Sequence, residues 1–151
     1  TDGRTISALG AQRSGFGRCG EESTLLTAAL RAAGIRCAVG SSGCRANVDF
    51  VLDACRIGDF FEARICGDMV TRCKPDPEIY QTAAAALGLD PAACLVFEDA
   101  PAGIEAARRA GIGRIVALAT TLPREQLEKA EGLYRIVTDF RDITNIHQIL
   151  E

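Results

Sequence analysis

Residues 94–111 read CLVFEDAPAGIEAARRAG, and this stretch decides the fold. Positions 94–97 form a short apolar run with β-branched and aromatic members, which predicts a buried strand. The run stops at Glu98 and Asp99, two adjacent carboxylates. Pro101 and Gly103 then break the strand, and small and apolar residues at helical spacing over 104–110 predict a helix. The pattern is strand, acidic loop, helix. In an open α/β sheet, ligands bind in the crevice at the carboxyl ends of the strands. Two acids placed there suit a hard cation such as Mg²⁺. The plainer role is a capping acid at Glu98 and a turn acid at Asp99, since acids favour helix N-termini.

Working outward, the same alternation repeats. Residues 21–33, EESTLLTAALRAA, place Leu25, Leu26, Ala29 and Leu30 on one face of an amphipathic helix. Gly34 stands where a helix ends. IRCAVG at 35–40 predicts a strand, with Ser41, Ser42 and Gly43 at its carboxyl end. Hydroxyl and backbone N–H groups at such a junction make an anion site, although a lone serine there is ordinarily an N-cap. A helix over 46–55 follows, with Val48, Val51 and Leu52 inward, then a short strand near 64–66. Lys74 lies in RCKPDPEIY, where Pro75 and Pro77 fix the backbone and Pro77 can start a helix. A lysine held near two carboxylates offsets their repulsion and binds a phosphoryl oxygen as a point charge. A solvated surface lysine is the plain alternative. Helices at 78–87, 123–130 and from Ile143, with strands at 114–118 and 135–137, complete the series. Asp139 and Asp142 read as turn and cap residues, and His147 as a structural or solvated group on the closing helix. A parallel sheet with helices on both faces is the expected architecture.

Composition restricts the function classes. The chain has 151 residues, a net charge of −3 and well-mixed charges, so nucleic acid and anionic membranes are not expected partners. No apolar run approaches the ~20 residues of a membrane span, and no secretory signal is visible. Seven cysteines, an odd number without a C-x-x-C, read as reduced and mostly buried thiols of a cytoplasmic protein. A single histidine leaves little for a Cys/His zinc cluster.

Ser41, then Lys74 in K-P-x-P, then Glu98-Asp99 with G-I-x-A-A form an ordered set that resembles the second, third and fourth motifs of the haloacid dehalogenase (HAD) superfamily. The resemblance spans residues 22–145 and points to the branch of β-phosphoglucomutase and phosphoglycolate-type phosphatases. It implies a three-layer, Rossmann-like α/β core forming a single domain over 1–151. It also implies Mg²⁺-dependent hydrolysis or transfer of small phosphate monoesters. Ser41 and Lys74 would be catalytic and, with Ser42 and Gly43, would bind the phosphoryl group. Asp99 would ligate Mg²⁺, with Glu98 beside it or one layer behind.

The departures matter equally. The family's first motif, D-x-D-G-T/V, carries an aspartate nucleophile and an aspartate acid/base, and no D-x-D occurs in this sequence. Too few residues precede Ser41 for the helical cap this branch inserts, so the crevice is expected to be open and its rim available for self-association. Two registers place the first motif. In one, Asp2-Gly3 is the tail of a motif whose nucleophile lies upstream of Thr1. In the other, 5–11 is the central strand of an atypical 1–20 leader, and Gln12 and Ser14 occupy the two aspartate positions. The second is preferred, because an empty central slot would leave two strand edges unpaired. Mg²⁺ binding is then expected to be weak or absent. The chain reads either as a phosphatase that requires an aspartate upstream of Thr1 or as a non-catalytic anion- or partner-binding relative.

Overall fold

A computed structural model describes residues 5–9, 19–138, 140–143 and 145–150. Among these residues, six parallel strands form one sheet: β1 (Thr5–Leu9), β2 (Cys37–Gly40), β3 (Ala63–Ile65), β4 (Cys94–Glu98), β5 (Arg114–Leu118) and β6 (Arg135–Val137). Their spatial order is β3-β2-β1-β4-β5-β6. Among the described residues the α-helices between strands are α1 (Cys19–Ala32), α2 (Arg45–Ala54), α3 (Glu78–Ala86), α4 (Pro101–Arg109) and α5 (Arg124–Leu127), and α6 (His147–Leu150) follows β6.

The strands are apolar on both sides, as a parallel sheet between helices requires. One layer gathers Ala38, Val96, Ile115 and Ala117 with Ile79, Tyr80 and Ala83 of α3 and Ile104 and Ala107 of α4. The opposite layer gathers Cys37, Leu95, Phe97, Val116 and Leu118 with Leu26 and Leu30 of α1 and Ile149 of α6. Val48 and Leu52 of α2 extend that second face over Val39 and Cys66. Alternate residues of β4 and β5 thus point to opposite cores, the period-2 consequence of an extended backbone.

β1 fills the central slot. Ile6 pairs with Cys37 of β2 and with Leu95 of β4, both in parallel. The strand expected to fill this slot is therefore present over residues 5–9. Gln12 and Ser14 lie outside the described residues, as do Asp2, Gly3 and Asp139. The strand order reverses at β1, so the carboxyl ends of β2 and β4 flank a topological switch point.

Several local expectations need correction. Val51 is exposed while Val48 and Leu52 are buried. The i, i+4 pair faces the sheet, and Val51 falls to the side of that stripe. Ala29 is exposed as well, and Thr27 is buried beside Leu26 and Leu30. The helix expected over 123–130 shortens to Arg124–Leu127, and the closing helix begins at His147, after a 3₁₀ turn at Phe140–Asp142. In that turn Asp142 accepts a hydrogen bond from Thr138 N at 2.7 Å, so its expected turn role holds. Pro77 sits one residue before α3, and it is Pro101 that occupies the first turn of α4. Of the six cysteines from Cys37 to Cys94, all free, Cys37, Cys66 and Cys94 are buried, whereas Cys44 and Cys73 are exposed. Gly34 ends α1 as expected: at φ 76° it allows Ile35 N to reach Leu30 O at 3.0 Å.

Candidate functional site

Ser41 follows directly on β2. Its backbone N–H donates to Ile65 O at 2.9 Å, extending the β2–β3 pairing by one residue and fixing the loop. The side chain is buried, and its Oγ accepts from Gly43 N at 3.1 Å. The loop therefore curls around its own serine hydroxyl, with Ser42 exposed at the tip. A tight turn at Gly67–Met69 closes it from the side. Gly67 N donates to Gly43 O at 2.9 Å, and Asp68 Oδ2 accepts from Arg45 N at 3.2 Å. A methyl group at position 67 would stand 2.2 Å from Ser42 O, so only glycine permits this approach. Gly67 and Asp68 carried no signal in the sequence beyond following a strand.

Lys74 arrives from the opposite side, immediately before a cis Lys74–Pro75 peptide bond. Its ammonium lies 2.5 Å from Glu98 Oε1 and 3.5 Å from Gly40 O. The side chain is 9% exposed and that of Glu98 is 1% exposed, so the pair is largely removed from water. An ammonium has three donors. Two are accounted for, and among the described residues no hydrogen bond takes the third. Lys74 is thus anchored to the carboxyl ends of β2 and β4 at once, with one N–H left to offer.

Glu98 is the most heavily engaged acid in the site. Oε1 accepts from Lys74 and from the Tyr80 hydroxyl. Oε2 accepts from Asp99 N at 3.1 Å and Ala100 N at 3.3 Å. These two backbone donors belong to the loop entering α4, so Glu98 does serve that helix entrance, as the plain capping role anticipates. Gly103 lies against the carboxyl group, where an added methyl would come within 2.0 Å of Cδ. Burial and the neighbouring Glu98 charge push the Tyr80 phenol well above its usual range near 10.

Asp99 is buried and takes a 2.6 Å hydrogen bond from Thr121 Oγ1 to its Oδ2. Its Oδ1 has no hydrogen bond among the described residues. No group of three or more His, Cys, Asp or Glu able to hold a metal ion is present among the described residues. With both Glu98 oxygens saturated, Asp99 is the described carboxylate with coordination capacity to spare. A single carboxylate fits Mg²⁺ poorly by itself, since that ion relies on charge to offset its dehydration.

The structure thus brings together Gly40, Ser41, Lys74 and Glu98, and sets Asp99 beside them on the same loop. The candidate residues Gln12 and Ser14 fall outside the described residues. Tyr80, Gly103 and Thr121 were missed by sequence reasoning. Tyr80 lies six residues after Lys74 at the start of α3, a spacing that returns the ring beneath the ammonium. Thr121, from the loop after β5, carried no local signal at all.

Residues 21–111 match the family model described as haloacid dehalogenase-like hydrolase. Protein CbbY of Rhodobacter capsulatus is 46% identical over 85 residues, covering 54% of this chain and 37% of that protein. Validoxylamine A 7'-phosphate phosphatase of Streptomyces hygroscopicus subsp. limoneus is 44% identical over 103 residues, 68% of this chain and 48% of its own length. The crystal structure of a putative β-phosphoglucomutase from Thermotoga maritima has a TM-score of 0.74 at 28% identity, covering 89% of this chain and 61% of that one. The chain spans half or less of the length of the two curated relatives. The matched segment holds Ser41, Lys74, Glu98 and Asp99, and this chain belongs to the haloacid dehalogenase-like hydrolase family, in its branch of phosphatases and phosphomutases.

Proposed function

We propose that the crevice between β2 and β4 binds the phosphoryl group of a small phosphate monoester. The observation that carries this reading is the placement of Lys74, a buried ammonium tied to Glu98 and Gly40 O with one donor in reserve. Ser41 contributes its hydroxyl, and Ser42 and Gly43 contribute backbone N–H groups after the Gly43–Ser41 bond gives way to the ligand. Fixed cationic and N–H donors stabilise charge on the phosphoryl oxygens without reorganising during the reaction. Asp99 is the residue that would hold a Mg²⁺ ion, which would add positive charge against the phosphoryl group. Glu98 acts through Lys74 rather than on the ion, because its four acceptor positions are filled from within the chain.

Hydrolysis in this family's manner also needs a carboxylate nucleophile, and the sequence contains no D-x-D. The 151-residue chain is therefore proposed to bind phosphate esters without meaningful turnover. Losing a covalent nucleophile removes several powers of ten in rate. The test is a screen of small phosphate esters with Mg²⁺, run on the chain and on the double variant Gln12→Asp/Ser14→Asp. The chain should be silent, and the variant should hydrolyse an activated aryl phosphate slowly. Turnover of the unaltered chain near ~1–10³ s⁻¹ would overturn the reading.

A further inference from the structure

We propose that Tyr80 is a positioning residue that sets where the Lys74 ammonium stands. The proposal rests on the reading in which Lys74 binds a phosphoryl oxygen. Tyr80 is fully buried on the inner face of α3. Its hydroxyl donates to Glu98 Oε1, the same oxygen that accepts from Lys74. Its ring lies under the ammonium, with Nζ 4.9 Å from the ring centroid. The ring also abuts Gly40, where a methyl group would meet Cε1 at 3.4 Å. One side chain thus touches the end of β2, the acid ending β4, and the cation between them. The ring face attracts the ammonium from below. The hydroxyl is a second donor to Oε1, so Lys74 is not the sole partner of that oxygen and remains attractive to an incoming oxyanion. Burial of a tyrosine requires a partner for its hydroxyl, but core packing alone does not require that partner to be the acid that anchors Lys74.

The test compares the full chain with Tyr80→Phe, Lys74→Ala and Ser41→Ala. Three quantities are read: the dissociation constant for inorganic phosphate, the thermal midpoint, and the ¹⁵N ammonium resonance of Lys74 without ligand. Tyr80→Phe keeps the ring and removes only the donor. It should weaken phosphate binding about tenfold, as for a hydrogen bond to a charged group, and should shift the Lys74 resonance. Unchanged phosphate affinity with an unchanged Lys74 resonance, while Lys74→Ala abolishes binding, overturns the positioning role and leaves the phosphate reading intact. If the unaltered chain binds no phosphate, or Lys74→Ala binds as well as it does, the phosphate reading fails. The ligand-free resonance then decides the positioning role by itself, an unmoved signal refuting it. The comparison is repeated in a Glu98→Gln background, which removes the carboxylate charge through which the tyrosine hydroxyl acts. There Tyr80→Phe should add no further loss, because its influence runs through the carboxylate, and an additional tenfold loss would refute that route.

Discussion

Replacing Gly103 with alanine should destabilise the fold, although alanine is the better helix former. The added methyl would stand 2.0 Å from Glu98 Cδ and 2.1 and 2.3 Å from its two oxygens. Ordinary carbon contacts lie at about 3.5–4.0 Å. Two kinds of relief are available. If α4 shifts away from the sheet, the cost is that of overpacking, about 1–3 kcal/mol. If the carboxylate leaves instead, Lys74 loses its buried partner, and breaking such a pair costs about 3–5 kcal/mol. Alanine returns only about 0.5–1 kcal/mol in helix propensity. The cheaper relief decides, so the net expectation is a loss of about 1–2 kcal/mol, or roughly 2–8 °C in thermal midpoint at 2–4 °C per kcal/mol for this chain length. Chemical denaturation and thermal melting of Gly103→Ala measure it. The cause is isolated by repeating the change in Glu98→Ala, where the methyl has room and the penalty should largely disappear. An equal or raised midpoint for Gly103→Ala alone would show that helix propensity dominates and that Glu98 does not lie against α4.

Other consequences are as direct. Glu98→Gln leaves Lys74 buried without a counter-charge and should lower stability by about 3 kcal/mol in urea unfolding. Cys44 and Cys73 should react quickly with a thiol reagent, while Cys37, Cys66 and Cys94 should react only on unfolding, as read by peptide mapping. Burial pushes the Cys37 thiol up to about 11 from 9.0, so the folded state holds this proton more tightly than the unfolded chain does. Stability from this group is fully present below pH 9 and is lost as pH rises towards 11, and Cys37→Ala should flatten that part of the pH–stability curve. Thr121→Val removes the donor to Asp99 Oδ2 and should weaken any Mg²⁺ binding seen in the Gln12→Asp/Ser14→Asp variant, measured by calorimetry.

Much of this arrangement was legible in the sequence because it follows from local pattern. The run at 94–97 ends in two acids, the loop after β2 opens with serines, and a lysine precedes P-x-P. Each of these features is carried by a few consecutive residues, and the alternation of strands and helices places all of them at one edge of the sheet. The central position of β1 was also legible, since leaving that slot empty would strand hydrogen-bonding groups. What escaped depends on contacts between distant segments. Tyr80 reads as a core aromatic until the ring is found beneath Lys74. Gly103 reads as a strand breaker until Glu98 is seen to need its missing side chain. Thr121 meets Asp99 only because β5 and β4 are neighbours. The sequence left open whether Glu98 stands beside Asp99 or one layer behind it, because adjacent acids look alike until their hydrogen bonds are counted. The exposure of Val51 and Ala29 shows the limit of apolar spacing, which marks a helix face to within one residue on either side.

Titration of the isotope-labelled chain with inorganic phosphate tests the central claim most directly. The backbone amides of Ser42 and Gly43 and the Lys74 ammonium should shift together and saturate with one dissociation constant, and Lys74→Ala should abolish the response. Shifts confined to another part of the molecule, or none at these three groups up to high phosphate concentration, would contradict the assignment of the β2–β4 crevice as a phosphoryl site.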